Sequence, residues 1–311
     1  MTPGATMHAM LKTALAPVVL VVGLGGGFGT AAQAPALKKA ELPKAMRLYV
    51  FDCGLLNIAP AGVARYHVTP GEAGETRMPV PCFLVAHPRG TLMWDVGVIP
   101  DETVEAQQSK GGAHFDVNPV SAAVVTRTLK SQLAAIGYNP SDVTYVAISH
   151  AHKDHSANLN EFAASTWLMR PAEREFMWKK GNERVEPSFY TKLEHSKSID
   201  ISKNESKDGE YDVFGDGKAI IKAAPGHTPG HQVLVLQLAS LGRLMIAGDL
   251  YHYLPERTQH RAPPDNEFNV QQSAASRAMI EEYVKKTNTS ILIEHEWAAI
   301  AKMKKSPVYY E

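Results

Sequence analysis

The amino-acid sequence predicts an α/β fold in which a single domain runs from residue 35 to residue 311. Three observations carry that expectation. Strand-like and helix-like segments alternate along the whole of that region. No fixed-period repeat and no linker divides it. At 311 residues with 44% hydrophobic content, the chain is long enough to bury one large core.

In chain order, residues 46–52 and 80–86 read as strands, and residues 91–95 form a third after a turn at Pro88-Arg89-Gly90. Asn118-Pro119 predicts the start of a helix over residues 119–136. Its apolar period runs through Val120, Val124, Leu129, Leu133 and Ile136, and Gly137 ends it. A strand over 143–149 follows. The second half continues with a strand at 166–169, a helix at 171–178, and strands at 219–224, 232–238 and 244–248. A helix at 270–286 and a last strand at 290–294 complete it. No nucleotide-binding glycine fingerprint accompanies these elements.

Residues 1–34 stand apart. Lys12 precedes an apolar, glycine-containing run over 14–28, and small residues follow at Ala31-Ala32-Gln33-Ala34. This is the layout of a secretory signal peptide with cleavage between about residues 30 and 36, and it predicts a periplasmic or secreted protein. The run is shorter than the ~20 residues a membrane span needs, so a retained anchor is the lesser expectation. Lys+Arg and Asp+Glu balance at 32 each. That leaves no net field for nucleic acid or an anionic membrane, and points to a small-molecule partner. A homodimer is compatible with the sequence. The two cysteines, Cys53 and Cys82, either pair in an oxidising compartment or remain buried thiols.

The chemistry concentrates in Ser149-His150-Ala151-His152-Lys153-Asp154-His155, at the end of a predicted strand. Three imidazoles and a carboxylate on one loop can reach two neighbouring cations, since zinc takes about four N or O ligands at ~2.0–2.2 Å. Left without a cation, such a cluster is costly when buried. His227 stands in the shaped loop Pro225-Gly226-His227-Thr228-Pro229-Gly230-His231. Asp249 and His295 each follow a buried strand. His231 reads as a packing or supporting residue, and Asp95 as a candidate acceptor for a ligand imidazole. His67, His87, His114, His195 and His260 carry no such pattern and read as ordinary surface or core histidines.

The order His150-x-His152-x-Asp154-His155, His227, Asp249, His295 resembles the metallo-β-lactamase superfamily. The resemblance implies an αββα sandwich holding two Zn2+ per chain, other divalent metals being acceptable to the same donors. It implies a first cation on His150, His152 and His227, a second on Asp154, His155 and His295, and Asp249 bridging them. Phe51-Asp52-Cys53-Gly54, Asp95-Val96-Gly97, Phe214-Gly215-Asp216-Gly217 and the His227 loop are similar to the N-acyl homoserine lactonases within that superfamily.

That resemblance implies opening of a lactone ester. A water shared by two cations has its pKa lowered from 15.7 towards about 7, and Asp154 would orient it and pass its proton to the leaving oxygen. The acyl tail is expected against residues 78–80 or 115–117. There is one departure. The group carries a tyrosine three residues after the bridging aspartate, where this chain has His252 between Tyr251 and Tyr253. Any of the three is a candidate to polarise the substrate carbonyl. Other hydrolases share the donor pattern, among them glyoxalase-type thioesterases, aryl esterases, phosphodiesterases and β-lactamases. An iron oxidoreductase or a plain metal-binding module is the non-hydrolytic alternative.

Overall fold

The structure, a computed structural model, describes residues 40–108, 114–118 and 121–311. All of these fall within the unit Leu37–Glu311. The leader expected over residues 1–34 lies outside the described residues. No helix among the described residues is long and apolar enough to cross a membrane.

The strands are β1 (Arg47–Ile58), β2 (Met78–His87), β3 (Gly90–Trp94), β4 (His114–Asn118), β5 (Ser121–Val124), β6 (Tyr145–Ala147) and β7 (Thr166–Met169). They continue with β8 (Ser198–Asp200), β9 (Glu210–Asp212), β10 (Ala219–Ala223), β11 (Gln232–Leu238), β12 (Gly242–Ile246), β13 (Ser290–Leu292) and β14 (Tyr309–Tyr310). One sheet has the order β4-β5-β1-β2-β3-β6-β7-β8, with β14 beside β1. The other has the order β13-β12-β11-β10-β9.

Side-chain alternation decides the layers, because successive residues of a strand point to opposite faces. Leu48, Val50, Phe83, Val85, Leu92 and Trp94 of the first sheet meet Ala219, Ile221, Leu234, Leu236, Leu244 and Ile246 of the second in one shared core. Their neighbours Tyr49, Phe51, Leu84 and Met93 face the other way, against Val104, Leu129, Leu133 and Phe176. On the far side Val233, Val235 and Met245 pack against Ile280 of the helix Val270–Thr287. Helices therefore cover both outer faces of two stacked sheets, which is the expected αββα sandwich.

The helix expected over 119–136 is corrected. Residues 121–124 instead form β5, paired antiparallel with β1 from Leu55↔Val124 to Ile58↔Ser121. The helix is confined to Leu129–Ala134 and is capped by the Thr128 side chain, which accepts from the Ser131 N–H. An unpaired edge of β1 offers Ser121-Ala122-Ala123-Val124 a ladder of hydrogen bonds, and that pairing overrides the apolar period. The expected strand over 143–149 is shorter than anticipated, spanning Tyr145–Ala147. Cys53 and Cys82 form a disulfide with a Cα–Cα distance of 5.8 Å, tying β1 to β2.

Strand direction gathers the polar residues at one edge. β3 and β6 run parallel, as do β12 and β13. Asp95, His150, Asp249 and His295 all follow the C-terminal ends of these four strands. The turn joining β10 to β11 carries His227 to the same end of the second sheet, because β11 is antiparallel to β12.

Candidate metal centre

Gly248 lets the two sheets approach closely here. It has φ +52°, and a Cβ at that position would stand 2.7 Å from His231 Nε2 and 2.7 Å from Ser149 Cβ. Gly226 plays the same part in the His227 loop, where a Cβ would sit 2.2 Å from the Ser273 backbone nitrogen. Any L side chain at either position would push a ligand loop outward.

The structure brings all seven sequence-predicted donors together. His150 Nε2 lies 2.8 Å from His152 Nδ1, which lies 3.0 Å from His227 Nε2. Asp249 Oδ2 faces this set, 3.6 Å from His150 Nε2 and 3.2 Å from His227 Nε2. The second set is built from His155 Nε2 and His295 Nε2, 3.3 Å apart. Asp154 Oδ2 stands 3.7 Å and 3.4 Å from those two nitrogens. Asp249 Oδ1 is 3.1 Å from each of them. The two oxygens of one carboxylate thus face two different donor groups.

Outer partners fix which nitrogen turns inward. His155 Nδ1 donates to Asp95 Oδ2 at 2.9 Å, and Asp95 Oδ1 also accepts the Ser149 N–H at 2.6 Å. His295 Nδ1 donates to the Pro79 carbonyl at 2.9 Å, and His227 Nδ1 faces both oxygens of Glu267 at 3.1 Å. A ring that donates outward presents its lone pair inward, the form a metal ligand needs. Asp249 is held in turn by its own backbone N–H, which donates to His231 Nε2 at 3.1 Å. His231 Nδ1 donates to the Ala224 carbonyl at 2.9 Å. Burial, aided by His227, pushes the His231 pKa down to about 3, so this ring is neutral and can accept that N–H.

Charge accumulates inside. Burial opposes protonation of His227, yet Glu267 and Asp249 raise its pKa to about 9. Burial likewise opposes protonation of His295, while Asp249 and Asp154 raise it to about 10. Burial works against ionisation of Asp154, and His155 and His295 outweigh it, holding the carboxyl below its usual range. These protons stand where a cation would. Asp249 Oδ1, buried between the two donor groups, makes no aligned hydrogen bond among the described residues although two imidazole nitrogens stand 3.1 Å from it. A donor set of imidazole and carboxylate only, converging in two groups of three on a shared carboxylate, fits a pair of divalent cations.

The turn after Asp249 behaves differently. His252 Nε2 lies 3.1 Å from Asp249 Oδ2, and His252 lines the cavity above the cluster. The structure does not bring Tyr251 or Tyr253 to that cavity, a correction to the expectation for both. The Tyr251 hydroxyl turns to Glu281 at 3.1 Å, on the helix Val270–Thr287, and the Tyr253 hydroxyl donates to the Thr76 carbonyl at 2.9 Å. Successive side chains of an extended segment diverge, so only one of three neighbours reaches the site. The rest of the cavity wall comes from Leu56, Ile58, Tyr66 and Met78, with the more exposed Arg65, Lys153, Glu183, Arg184 and Asn266 towards the mouth. Of the residues expected against a tail, Met78 lines this cavity and Pro79 and Val80 do not; the side chains of residues 115–117 lie outside the described residues.

Sequence reasoning missed four buried carboxylates that support the centre. Glu173 accepts from the Ala151 N–H at 2.7 Å, the Thr228 hydroxyl at 2.8 Å and the Gly230 N–H at 2.8 Å, joining the two ligand loops. Glu256 accepts from the backbone of His252 and Tyr253 and from Arg277. Glu267 carries His227. Glu294 accepts the Gly248 N–H at 2.8 Å, and burial beside Asp95 raises its pKa well above the usual carboxylate range. Only Glu294 had a sequence signal, its place at a strand end next to His295.

Residues 76–283 match the family model of the metallo-beta-lactamase superfamily. An N-acyl homoserine lactonase AttM of Rhizobium radiobacter is 27% identical over 269 residues, covering 85% of this chain and 98% of its own. The N-acyl homoserine lactonase AiiA of Bacillus thuringiensis subsp. kurstaki is 24% identical over 229 residues, covering 74% and 85%. Among solved structures, an N-acyl homoserine lactone hydrolase with N-hexanoyl-L-homoserine at its catalytic metal center is similar in fold. Its TM-score is 0.68 at 22% identity, over 85% of this chain and 98% of that one. AidC, a dizinc quorum-quenching lactonase, has a TM-score of 0.56 at 18% identity, over 88% and 96%.

Proposed function

The chain belongs to the metallo-beta-lactamase superfamily and is a metal-dependent hydrolase of that fold; from that premise, we propose that it opens the ester ring of an N-acyl homoserine lactone on two divalent cations, zinc being the first choice. The observation that carries the reading is Asp249, whose Oδ2 faces His150, His152 and His227 while its Oδ1 faces His155 and His295. The curated lactonases similar to this chain over most of its length support the substrate.

Cations bound there would supply an acidified water as nucleophile and Lewis acidity for the ester carbonyl and the leaving oxygen. The chain's own residues do the rest. Asp154 lines the cavity with its side chain partly open, so its carboxylate can hold a proton taken from the nucleophile and hand it to the departing alkoxide. Leu56, Ile58 and Met78 give an acyl tail an apolar wall and keep water from that side. A lactone suits such a site because its leaving oxygen stays tethered after cleavage.

Export completes the proposal. The leader-like residues 1–34 and the Cys53–Cys82 disulfide both support a periplasmic or secreted location, since disulfides persist in oxidising compartments.

Arg65, Lys153 and Arg184 near the mouth favour a second reading, an anionic thioester or phosphodiester substrate. A panel of acyl homoserine lactones, γ-lactones, thioesters, aryl esters, a phosphodiester and a cephalosporin separates the two. The lactonase reading expects acyl homoserine lactones to show the highest kcat/KM. Lactones opening no faster than aryl esters would overturn it.

A further inference from the structure

We propose that the Tyr66 hydroxyl donates the hydrogen bond taken by the ring carbonyl oxygen of the lactone as negative charge builds on it. The proposal rests on the lactonase reading above.

Tyr66 ends the short turn Ala64–Tyr66 between β1 and β2, far in sequence from every residue of the cluster. Its side chain nevertheless forms part of the cavity wall beside Asp154, Asp249 and His252. Three contacts orient the ring. It packs on His252 with centroids 4.3 Å apart, and meets Tyr253 edge-on at 5.4 Å. The Arg65 guanidinium lies 4.8 Å from its centroid. None of these contacts uses the hydroxyl, and no hydrogen bond engages it among the described residues. The hydroxyls of Tyr251 and Tyr253 are both spent elsewhere.

Other donors on the wall are less suited. His252 is a neighbour of the reacting region, but its Nε2 faces Asp249 Oδ2 at 3.1 Å, so its N–H is already committed to the carboxylate. Asn266 is exposed, and Lys153 and Arg184 are only half-buried. A transition-state donor is worth most when it is preorganised and out of water. Burial raises the Tyr66 pKa, Arg65 opposing and Asp249 reinforcing it, so the phenol keeps its proton at neutral pH.

Tyr66→Phe keeps the ring and removes the hydroxyl alone. On N-hexanoyl homoserine lactone we expect kcat to fall about 10²-fold, the scale for one lost donor to a developing oxyanion, with KM little changed. Metal content and melting temperature should match wild type, because the hydroxyl makes no hydrogen bond among the described residues. Wild-type kcat in Tyr66→Phe would overturn the proposal. So would a rise in KM alone, which would put the donor on the tail amide, or a larger kcat loss in Tyr253→Phe. A wild-type protein inert towards every lactone would instead overturn the lactonase reading on which the proposal stands.

Discussion

The ligand loops and the turn 251–253 both crowd polar rings into a few residues, yet they come to opposite ends. In the segment 150–155, His150, His152, Asp154 and His155 all converge, because Asp95, Glu173 and Ser149 restrain their loop from outside. In the turn 251–253, three adjacent rings go to three places: Glu281, the cluster and the Thr76 carbonyl. Closeness in sequence brings side chains together only where buried acceptors compel the backbone to curl around a point. In an extended turn it separates them.

Removing the point of convergence should have the largest effect. Asp249→Asn is expected to lose about one metal ion per chain and at least 10²-fold in kcat on every substrate, since both donor sets lose a charged oxygen. Elemental analysis together with turnover numbers checks this. Next comes the restraint on the loops. Glu173→Gln leaves an amide NH2 among three buried donors, and should weaken metal retention 10- to 100-fold. It should also cost about 2–4 kcal/mol in chemical denaturation. If Glu173→Gln retained metal like wild type, the loops would be held by something other than this carboxylate.

Much of the convergent region was legible in the sequence and much of the divergent region was not. Seven donors in a fixed order, each at a strand end or in a glycine-shaped loop, announce themselves because metal chemistry limits residue type and spacing. Glu173, Glu256 and Glu267 do not, since a carboxylate on a helix or loop looks the same whether it faces solvent or caps a buried loop. The directions of Tyr251 and Tyr253 depend on φ/ψ and on partners far along the chain. The same applies to Tyr66, a contributor to the cavity from a segment with no motif. In the fold, the strands with uniformly buried residues were visible, whereas β5 was hidden behind a helical apolar period. Its strand form comes from pairing with β1 on one side and β4 on the other, partners that no local pattern reveals.

Smaller effects sharpen the contrast. Cys53→Ser with Cys82→Ser opens a link across 29 residues and should cost about 2–4 kcal/mol of stability while leaving the metal content unchanged. Calorimetry on the reduced and oxidised protein reads it directly. In the divergent turn, Tyr251→Phe and Tyr253→Phe each remove one hydrogen bond, worth about 1 kcal/mol. They should lower the melting temperature more clearly than they lower kcat, the reverse of what a substrate-binding hydroxyl would show.

The subtlest effect is in pH. Without metal, His227 and His295 have pKa values of about 9 and about 10, above an ordinary histidine at about 6.5. The folded state therefore binds these protons more tightly than the unfolded chain does. That contribution is complete below about pH 6.5 and is lost as pH rises through 9 to 10. Bound cations act in the opposite sense, because they require neutral imidazoles. The melting-temperature gap between metal-loaded and chelated protein should widen from pH 6.5 to 9.5. A gap that stays constant or narrows would show that these rings do not exchange protons for metal.

The central claim is that one carboxylate joins two donor groups into a two-cation centre, and metal stoichiometry tests it most directly. Elemental analysis of the purified wild-type protein should find about two zinc or similar divalent ions per chain. Chelation should remove them together with the hydrolase activity, and adding zinc should restore both. Full hydrolase activity in protein carrying no metal, or a single iron accompanied by dioxygen consumption, would contradict the account.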